Sequence, residues 1–354
     1  MNRVILIDPC RDERWDRFVE SHPFGWICHL SGWKLVLENT FPHMKGHYLA
    51  LIDENGTIKG GLPVYEVRSW LIGDRLVSTP FSTFSDPLVS DAEQFYHLLE
   101  SVMLICKQIK FKYVEIRMFK FKFDQFDCKN QKNDLFKTHI IKLPENIEDL
   151  KKTFHKTCVR RNIKRAYGKG LKLRAGIMEE DWMAFYHLYA VNRKRLGLPV
   201  QPYIFIQNLW KTFSKGEKIK LLLAEWEGKA IGAIVLYKYK DRVSAEYLGS
   251  DEKYKSLYTN VFLYWEAIKW AHENKINYFD FGRTSTNNFS LMEFKQHWGT
   301  QMLDLPIYYF FEKSSHYKND KNQSFLYLAA RKLLKALPEH LYSKVGRFIY
   351  NHSS

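Results

Sequence analysis

Two hairpins in this chain align without a gap. Residues 49–65 read LALIDENGTIKGGLPVY and residues 221–237 read LLLAEWEGKAIGAIVLY. Each is an apolar run, an acidic turn closed by glycine, and a second apolar run, the pattern of strand, tight turn and returning strand. Gly56 aligns with Gly228 and Gly60 with Gly232. Downstream the order repeats. A helical stretch leads into KFKYVEIR at 110–117 and another into KINYFDFG at 275–282, which sets Glu115 beside Asp280. An ordered match of two separate segments implies one α/β unit present twice. The 354 residues leave room for two ordinary domains, and 45% hydrophobic residues supply each with a core. The expectation is an α/β protein with two mixed sheets flanked by helices, at 1–145 and 146–312, and a basic amphipathic helical extension at 313–354.

The rest of the chain fits this plan. Residues 4–7 read as a first strand and 12–21 as a helix with Trp15, Phe18 and Val19 on one side. Residues 94–107 read as a helix, 113–117 as a strand and 129–133 as a polar surface loop. In the second half, Trp182, Phe185, Leu188 and Tyr189 recur at helical core spacing. Residues 243–249 read as a strand, with Glu246 on the face opposite Val243, Ala245 and Tyr247. Past Pro306 two helix-like pieces flank Pro338. They are expected to pack on the second domain, with membrane-surface contact as the alternative.

Charge narrows the partners. Lys and Arg number 54 against 39 Asp and Glu, a net charge of +15. An anionic partner is therefore expected: nucleic acid, a phosphorylated cofactor or an anionic membrane surface. Basic density peaks between 151 and 174, at Lys151, Lys152, Lys156, Arg160, Arg161, Lys164, Arg165, Lys169, Lys172 and Arg174, with no acidic residue among them. The segment reads as a helix ended by Gly168-Lys169-Gly170 and followed by a strand. It is either a phosphate-binding surface or a solvated helix face. Cys10, Cys28, Cys106, Cys128 and Cys158 are scattered, with no pair at metal-ligand or redox spacing. Reduced thiols and no metal site are expected. The first twelve residues lack a leader's apolar run. No stretch reaches the roughly 18 apolar residues of a spanning helix. The expected location is the cytoplasm, with peripheral contact at the inner membrane face as an option.

Residues 278–299, YFDFGRTSTNNFSLMEFKQHWG, concentrate the chemistry. Asp280 sits at a strand end and Arg283 follows Gly282 on a turn. Ser290 and Glu293 have capping-box spacing, which starts a helix at Ser290. Leu291, Phe294 and Trp298 share that helix's apolar face, and Lys295 lies at its edge. His297 falls on the flank away from Leu291 and is read as exposed. A carboxylate, a guanidinium and a half-buried ammonium converging in this way are a seed for a site.

This stretch resembles the DFG-(R/G)…FK-x-x-(W/F)-G signature of Fem-type aminoacyltransferases and the FemAB-like acetyltransferases, members of the GNAT superfamily. Two further segments carry the resemblance: TCVRRNIKRAYGKGLKLR at 157–174, and the block from Glu246 through Arg283. The resemblance implies two tandem GNAT-like domains and acyl transfer to an amine. In the Fem-type enzymes the donor is an aminoacyl-tRNA ester and the acceptor a cell-wall precursor amine. The family's FK lysine falls on Lys295 and the basic position after DFG on Arg283. Acetyl-CoA-dependent GNAT domains carry a glycine-rich turn that cradles pyrophosphate; here residues 251–260 contain no glycine.

Acyl transfer requires a base for the amine, a polarised carbonyl and a stabilised oxyanion. Lys295 is the candidate for the carbonyl and leaving oxygen. Asp280 and Glu246 are the candidate bases; Asp280 could equally hold Arg283, and Glu246 could be a strand residue paired with a nearby cation. Arg283, Arg160, Arg161, Lys164, Arg165 and Tyr247 are the substrate-binding candidates. The expected enzyme has no permanent cofactor and takes aminoacyl-tRNA or acyl-CoA as co-substrate. Its acceptor would be a lipid- or nucleotide-linked amino sugar or peptide, a cell-envelope or polysaccharide precursor; with acyl-CoA as donor it would be an N-acetyltransferase of polysaccharide biosynthesis. The rival from another class is a non-catalytic module binding RNA or anionic lipid through the basic segment.

Overall fold

The computed structural model describes residues 2–69, 73–122, 130–311 and 321–352. The chain runs β1 (Arg3–Ile7), α1 (Glu13–Ser21), α2 (Ser31–Thr40), β2 (Gly46–Ile52), β3 (Ile58–Val67), β4 (Arg75–Val77), α3 (Ala92–Gln108), β5 (Tyr113–Arg117) and β6 (Asn130–Asn133). It continues with β7 (Phe136–Lys142), α4 (Ile147–Thr153), α5 (Arg161–Gly168), β8 (Lys172–Gly176), α6 (Glu179–Leu196), α7 (Tyr203–Phe213), β9 (Ile219–Trp226), β10 (Lys229–Tyr239) and β11 (Arg242–Ser250). Then come α8 (Thr259–Glu273), β12 (Tyr278–Asp280), β13 (Thr284–Ser285), α9 (Phe289–Gln296), β14 (Gln301–Asp304), β15 (Ile307–Phe311), α10 (Lys321–Ala336) and α11 (Glu339–Asn351).

The chain divides into two compact units. The first comprises Met1–Leu135, Asp304–Asn319 and Phe348–Ser354, the second Phe136–Leu303 and Asp320–Arg347. Each is built on one mixed sheet. The first sheet has the order β1-β2-β3-β4-β5-β15-β6; the second is β13-β7-β12-β11-β10-β9-β8, with β14 beside β7. Strand β7, which precedes residue 145, thus completes the second sheet, and β15 returns to the first. Residues 129–133 were expected as a loop. Instead Asn130–Asn133 forms β6, paired antiparallel with β15 at a sheet edge. Edge pairing uses backbone groups alone, so an all-polar NQKN strand gives no apolar alternation to read.

The duplication is real in the geometry. Gly56 and Gly228 both sit at φ +76° in their hairpin turns, a left-handed conformation that glycine adopts without strain. Each unit contains a parallel strand pair, β4 with β5 in the first and β11 with β12 in the second. The parallel crossovers run through α3 and α8, whose buried residues (Phe95, Leu98 and Val102; Phe262, Leu263 and Ile268) face the sheets and form the two cores. The C-terminal helices pack on the second unit as expected. Arg331 Nη2 donates to the Leu196 carbonyl at 2.8 Å and the Tyr342 hydroxyl to that of Leu198 at 2.6 Å. Among the described residues no helix is long and apolar enough to cross a membrane.

Candidate active site

Asp280 ends β12 with no solvent exposure. A buried carboxylate costs several kcal/mol unless it is paired and hydrogen-bonded. Here the Arg242 guanidinium and the Thr138 hydroxyl both donate to it, and the Gly282 N–H does so at 2.8 Å. Arg283, the cation that the sequence offers as its partner, does not pair with it. Its exposed guanidinium lies 4.5 Å over the Phe136 ring. The reason is the parallel pairing: Arg242 is in register with Tyr278 and Ser244 with Asp280, so the arginine reaches along the strand to the acid. Sequence reading missed Arg242, although the repeat held a signal. RLVS at 75–78 precedes the first-half strand as RVSA at 242–245 precedes the second.

Gly282 then turns the chain at φ +74°, and a Cβ there would lie 2.6 Å from the Ala245 carbonyl oxygen. Only glycine fits on either count. Its carbonyl accepts from Lys295 Nζ at 2.7 Å. Lys295 is 2% exposed, and burial pushes its ammonium down to about 8 against the pull of Asp280 and Glu246. Helix α9 holds it there. The expected cap at Ser290 is instead Asn288, whose side chain accepts from the Leu291 N–H at 3.3 Å. Asn caps as well as Ser, and the capping-box spacing pointed two residues too late. Past α9, Trp298 is fully buried among Phe154, Tyr264 and Phe281, with ring centroids 5.1–6.0 Å away.

Glu246 sits in a bulge. The β10–β11 pairing steps from Val235 with Tyr247 to Leu236 with Ala245, leaving Glu246 as the extra residue. Bulges re-aim side chains and occur beside active sites. Glu246 is half-buried, accepts from the Ser244 hydroxyl at 2.6 Å, and its charge acts on Lys295. Tyr247 is buried against the rings of Phe185 and Tyr189 of α6. A further group escaped the sequence reading. His139 on β7 has no solvent exposure, and neither ring nitrogen has a hydrogen-bond partner among the described residues. Burial, helped by the charge of Lys295, pushes it down to about 4, so the imidazole is neutral.

The basic segment is not one helix. Helix α4 ends at Thr153, a single π turn spans Lys156–Arg160, and α5 continues to Gly168. The break falls where buried Phe154 packs edge-on against Trp265 and the His155 N–H donates to the His297 carbonyl at 2.8 Å. His297 is therefore half-buried rather than exposed. Lys151, Lys152 and Arg174 pair with carboxylates. Lys156, Arg160, Arg161 and Lys164 have no carboxylate partner among the described residues. Arg165 donates to the Tyr258 hydroxyl at 3.0 Å, and Lys169 to the Ser256 carbonyl at 3.0 Å. Tyr258 stands at φ +60° immediately before α8, the conformation a glycine-rich turn would supply.

Residues 154–296 match the acetyltransferase (GNAT) domain family. The chain is 22% identical over 323 residues to the UDP-N-acetylmuramoylpentapeptide-lysine N(6)-alanyltransferase of Weissella viridescens, covering 82% of this chain and 90% of that protein. It carries a GNAT domain and is a homologue of the Fem-type alanyltransferases. Among solved structures it resembles FemX (TM-score 0.67, 15% identity, 93% of this chain and 100% of that one). It also resembles L-PGS from Bacillus licheniformis (TM-score 0.55, 14% identity, 93% and 98%). A tandem GNAT protein from the clavulanic acid biosynthesis pathway matches at TM-score 0.54 and 11% identity over 87% and 98%. The two mixed sheets flanked by helices are thus a tandem GNAT-like fold. The chain is an acyltransferase homologue, and GNAT acyltransferases take acyl-CoA or aminoacyl-tRNA as co-substrate.

Proposed function

We propose that this protein transfers an aminoacyl group from aminoacyl-tRNA to an amino group of a cell-envelope precursor, a nucleotide-linked peptidoglycan peptide. The observation that carries this is the buried Lys295, tied to the Gly282 carbonyl and set in the field of Asp280 and Glu246. Asp280 is saturated by Arg242, Thr138 and the Gly282 N–H, so its task is to hold the turn. Glu246, half-buried on its bulge, is the base that takes a proton from the acceptor amine. The amine nitrogen bonds to the ester carbonyl carbon, and the charge that develops on the carbonyl oxygen is stabilised by the Lys295 ammonium. Collapse breaks the ester C–O bond, and the proton passes to the departing tRNA hydroxyl oxygen. No residue is acylated on the way.

The donor reading rests on the cations of the π turn and α5, Lys156, Arg160, Arg161 and Lys164, which suit the phosphodiester backbone of a tRNA. The acceptor reading rests on the homologous alanyltransferase. A second reading, acyl-CoA as donor, is favoured by the GNAT-domain match alone. Against it stands Tyr258, in the place of a phosphate-cradling glycine and covered by Arg165 and Lys169. The test supplies labelled aminoacyl-tRNA or acetyl-CoA with a UDP-linked pentapeptide that offers a lysine side-chain amine. Label moving to the peptide from tRNA supports the proposal; label moving only from acetyl-CoA replaces it with the second reading.

A further inference from the structure

Outside the reacting groups, His155, Cys158 and His297 form a cluster that the acyl-transfer chemistry does not use. One nitrogen of each imidazole and the Cys158 sulphur lie within 4.8 Å of one another. The two rings stand 4.6 Å apart, centroid to centroid. His155 and Cys158 come from the two ends of an H-x-x-C turn, and His297 from the C-terminal end of α9, brought there by the hydrogen bond from the His155 N–H to the His297 carbonyl. We propose that these three side chains bind a borderline-soft divalent cation of the zinc type, with the fourth position left to water.

The donor set selects the ion. Two imidazoles and a thiolate suit zinc and disfavour magnesium or calcium, which take oxygen ligands. Tetrahedral bonds of about 2.0–2.3 Å place ligand atoms about 3.3–3.8 Å apart, so the cluster closes by about 1 Å on binding. The lone pair of His155 Nδ1 already faces the turn, accepting from the Cys158 N–H at 3.1 Å. The cation takes that lone pair in place of the amide hydrogen, at a cost of about one cap hydrogen bond. On the other side, Glu293 Oε1 lies 3.9 Å from His297 Nε2. That is ion-pair range; a carboxylate that closes to hydrogen-bond distance on one ring nitrogen orients the other toward a metal. His155 is exposed and the other two half-buried, which gives an ion an entry path. A search for paired cysteines passes over this site because two of its three ligands are histidines.

The consequence is mechanical. The cation cross-links the π turn, which carries Arg160, to the helix that carries Lys295. Binding itself does not depend on what the enzyme transfers, so the test reads the metal directly. The full chain is freed of metal with a chelator and titrated with Zn²⁺, Co²⁺ or Mg²⁺. Expected are one zinc per chain, a higher Tm with zinc but not magnesium, and a thiolate-to-cobalt charge-transfer band. Cys158→Ser should abolish the band, and both Cys158→Ser and His297→Gln should weaken zinc binding more than about tenfold. Cys10→Ser, which alters an exposed thiol elsewhere, should keep both. Should a variant fold poorly, circular dichroism of the metal-free wild type and the milder His155→Gln supply the comparison. Zinc that binds no better than magnesium, or a cobalt band that survives Cys158→Ser, overturns the proposal.

Discussion

The same parallel strand pair is built once in each unit, and the two copies end differently. In the first, Arg75 on β4 is in register with Tyr113, two residues before Glu115 on β5. In the second, Arg242 on β11 is in register with Tyr278, two residues before Asp280 on β12. Each arginine reaches the acid, at 3.5 Å in the first copy and in direct contact in the second. The next alternate residue sets the copies apart. In the first copy it is Arg117, whose guanidinium returns to Glu115 at 2.8 Å and closes a buried triad. In the second it is Gly282, which has no side chain to place there and turns its carbonyl to Lys295 instead. One copy is a lock and the other a lock with an ammonium placed beside it. The ion pair thus belongs to the scaffold in both copies, and in the mechanism proposed above the chemistry enters with the residue that replaces Arg117.

The two acids should show the largest effects. Glu115→Ala strands the buried guanidiniums of Arg75 and Arg117, Asp280→Ala strands that of Arg242, and each should lower the unfolding free energy by about 3–5 kcal/mol in urea titrations. A loss under about 1 kcal/mol at either acid would remove it from the scaffold role. Acid should act through the second copy. His139 titrates at about 4 in the folded chain against an ordinary 6.5. The unfolded chain therefore takes up a proton first as pH falls, and stability should be flat above 6.5 and then drop by up to ~3 kcal/mol toward pH 4. Urea midpoints at several pH values should show this limb in the wild type and a shallower one in His139→Asn.

Gly282→Ala asks whether the glycine is required. Its φ of +74° and the close Ala245 carbonyl predict a loss of about 1–3 kcal/mol, together with reduced turnover as the carbonyl leaves Lys295. The smallest effect is expected at Arg283→Ala, within about 0.5 kcal/mol of the wild type in stability, because an exposed cation over a ring contributes little. A large stability loss there would mean that the turn is held by Arg283 as well as by Arg242.

Much of this fold is legible in the sequence, for a physical reason. Hairpin turns, strand alternation and helix spacing are local, so the repeated hairpin and the 278–299 stretch announced the two sheets and placed Lys295 at the edge of the apolar face of α9, where the structure buries it fully. What failed was non-local. Asp280 found its arginine 38 residues away on a parallel neighbour, not three residues on. His139 entered the site from β7, across an antiparallel pairing with β12 that no residue in either strand advertises. The basic segment broke because Phe154 is anchored in the core, a demand set by Trp265 and Trp298 rather than by helix propensity. The bulge that presents Glu246 is likewise a property of two strands and cannot be read from one.

The most direct test of the account is single-turnover transfer from aminoacyl-tRNA to a UDP-linked pentapeptide by the wild type and by Lys295→Ala, each checked for fold by circular dichroism. Lys295→Ala should fold and transfer more slowly by about 10²–10³, the scale of losing one charged oxyanion donor. A folded Lys295→Ala enzyme that transfers at the wild-type rate would contradict it.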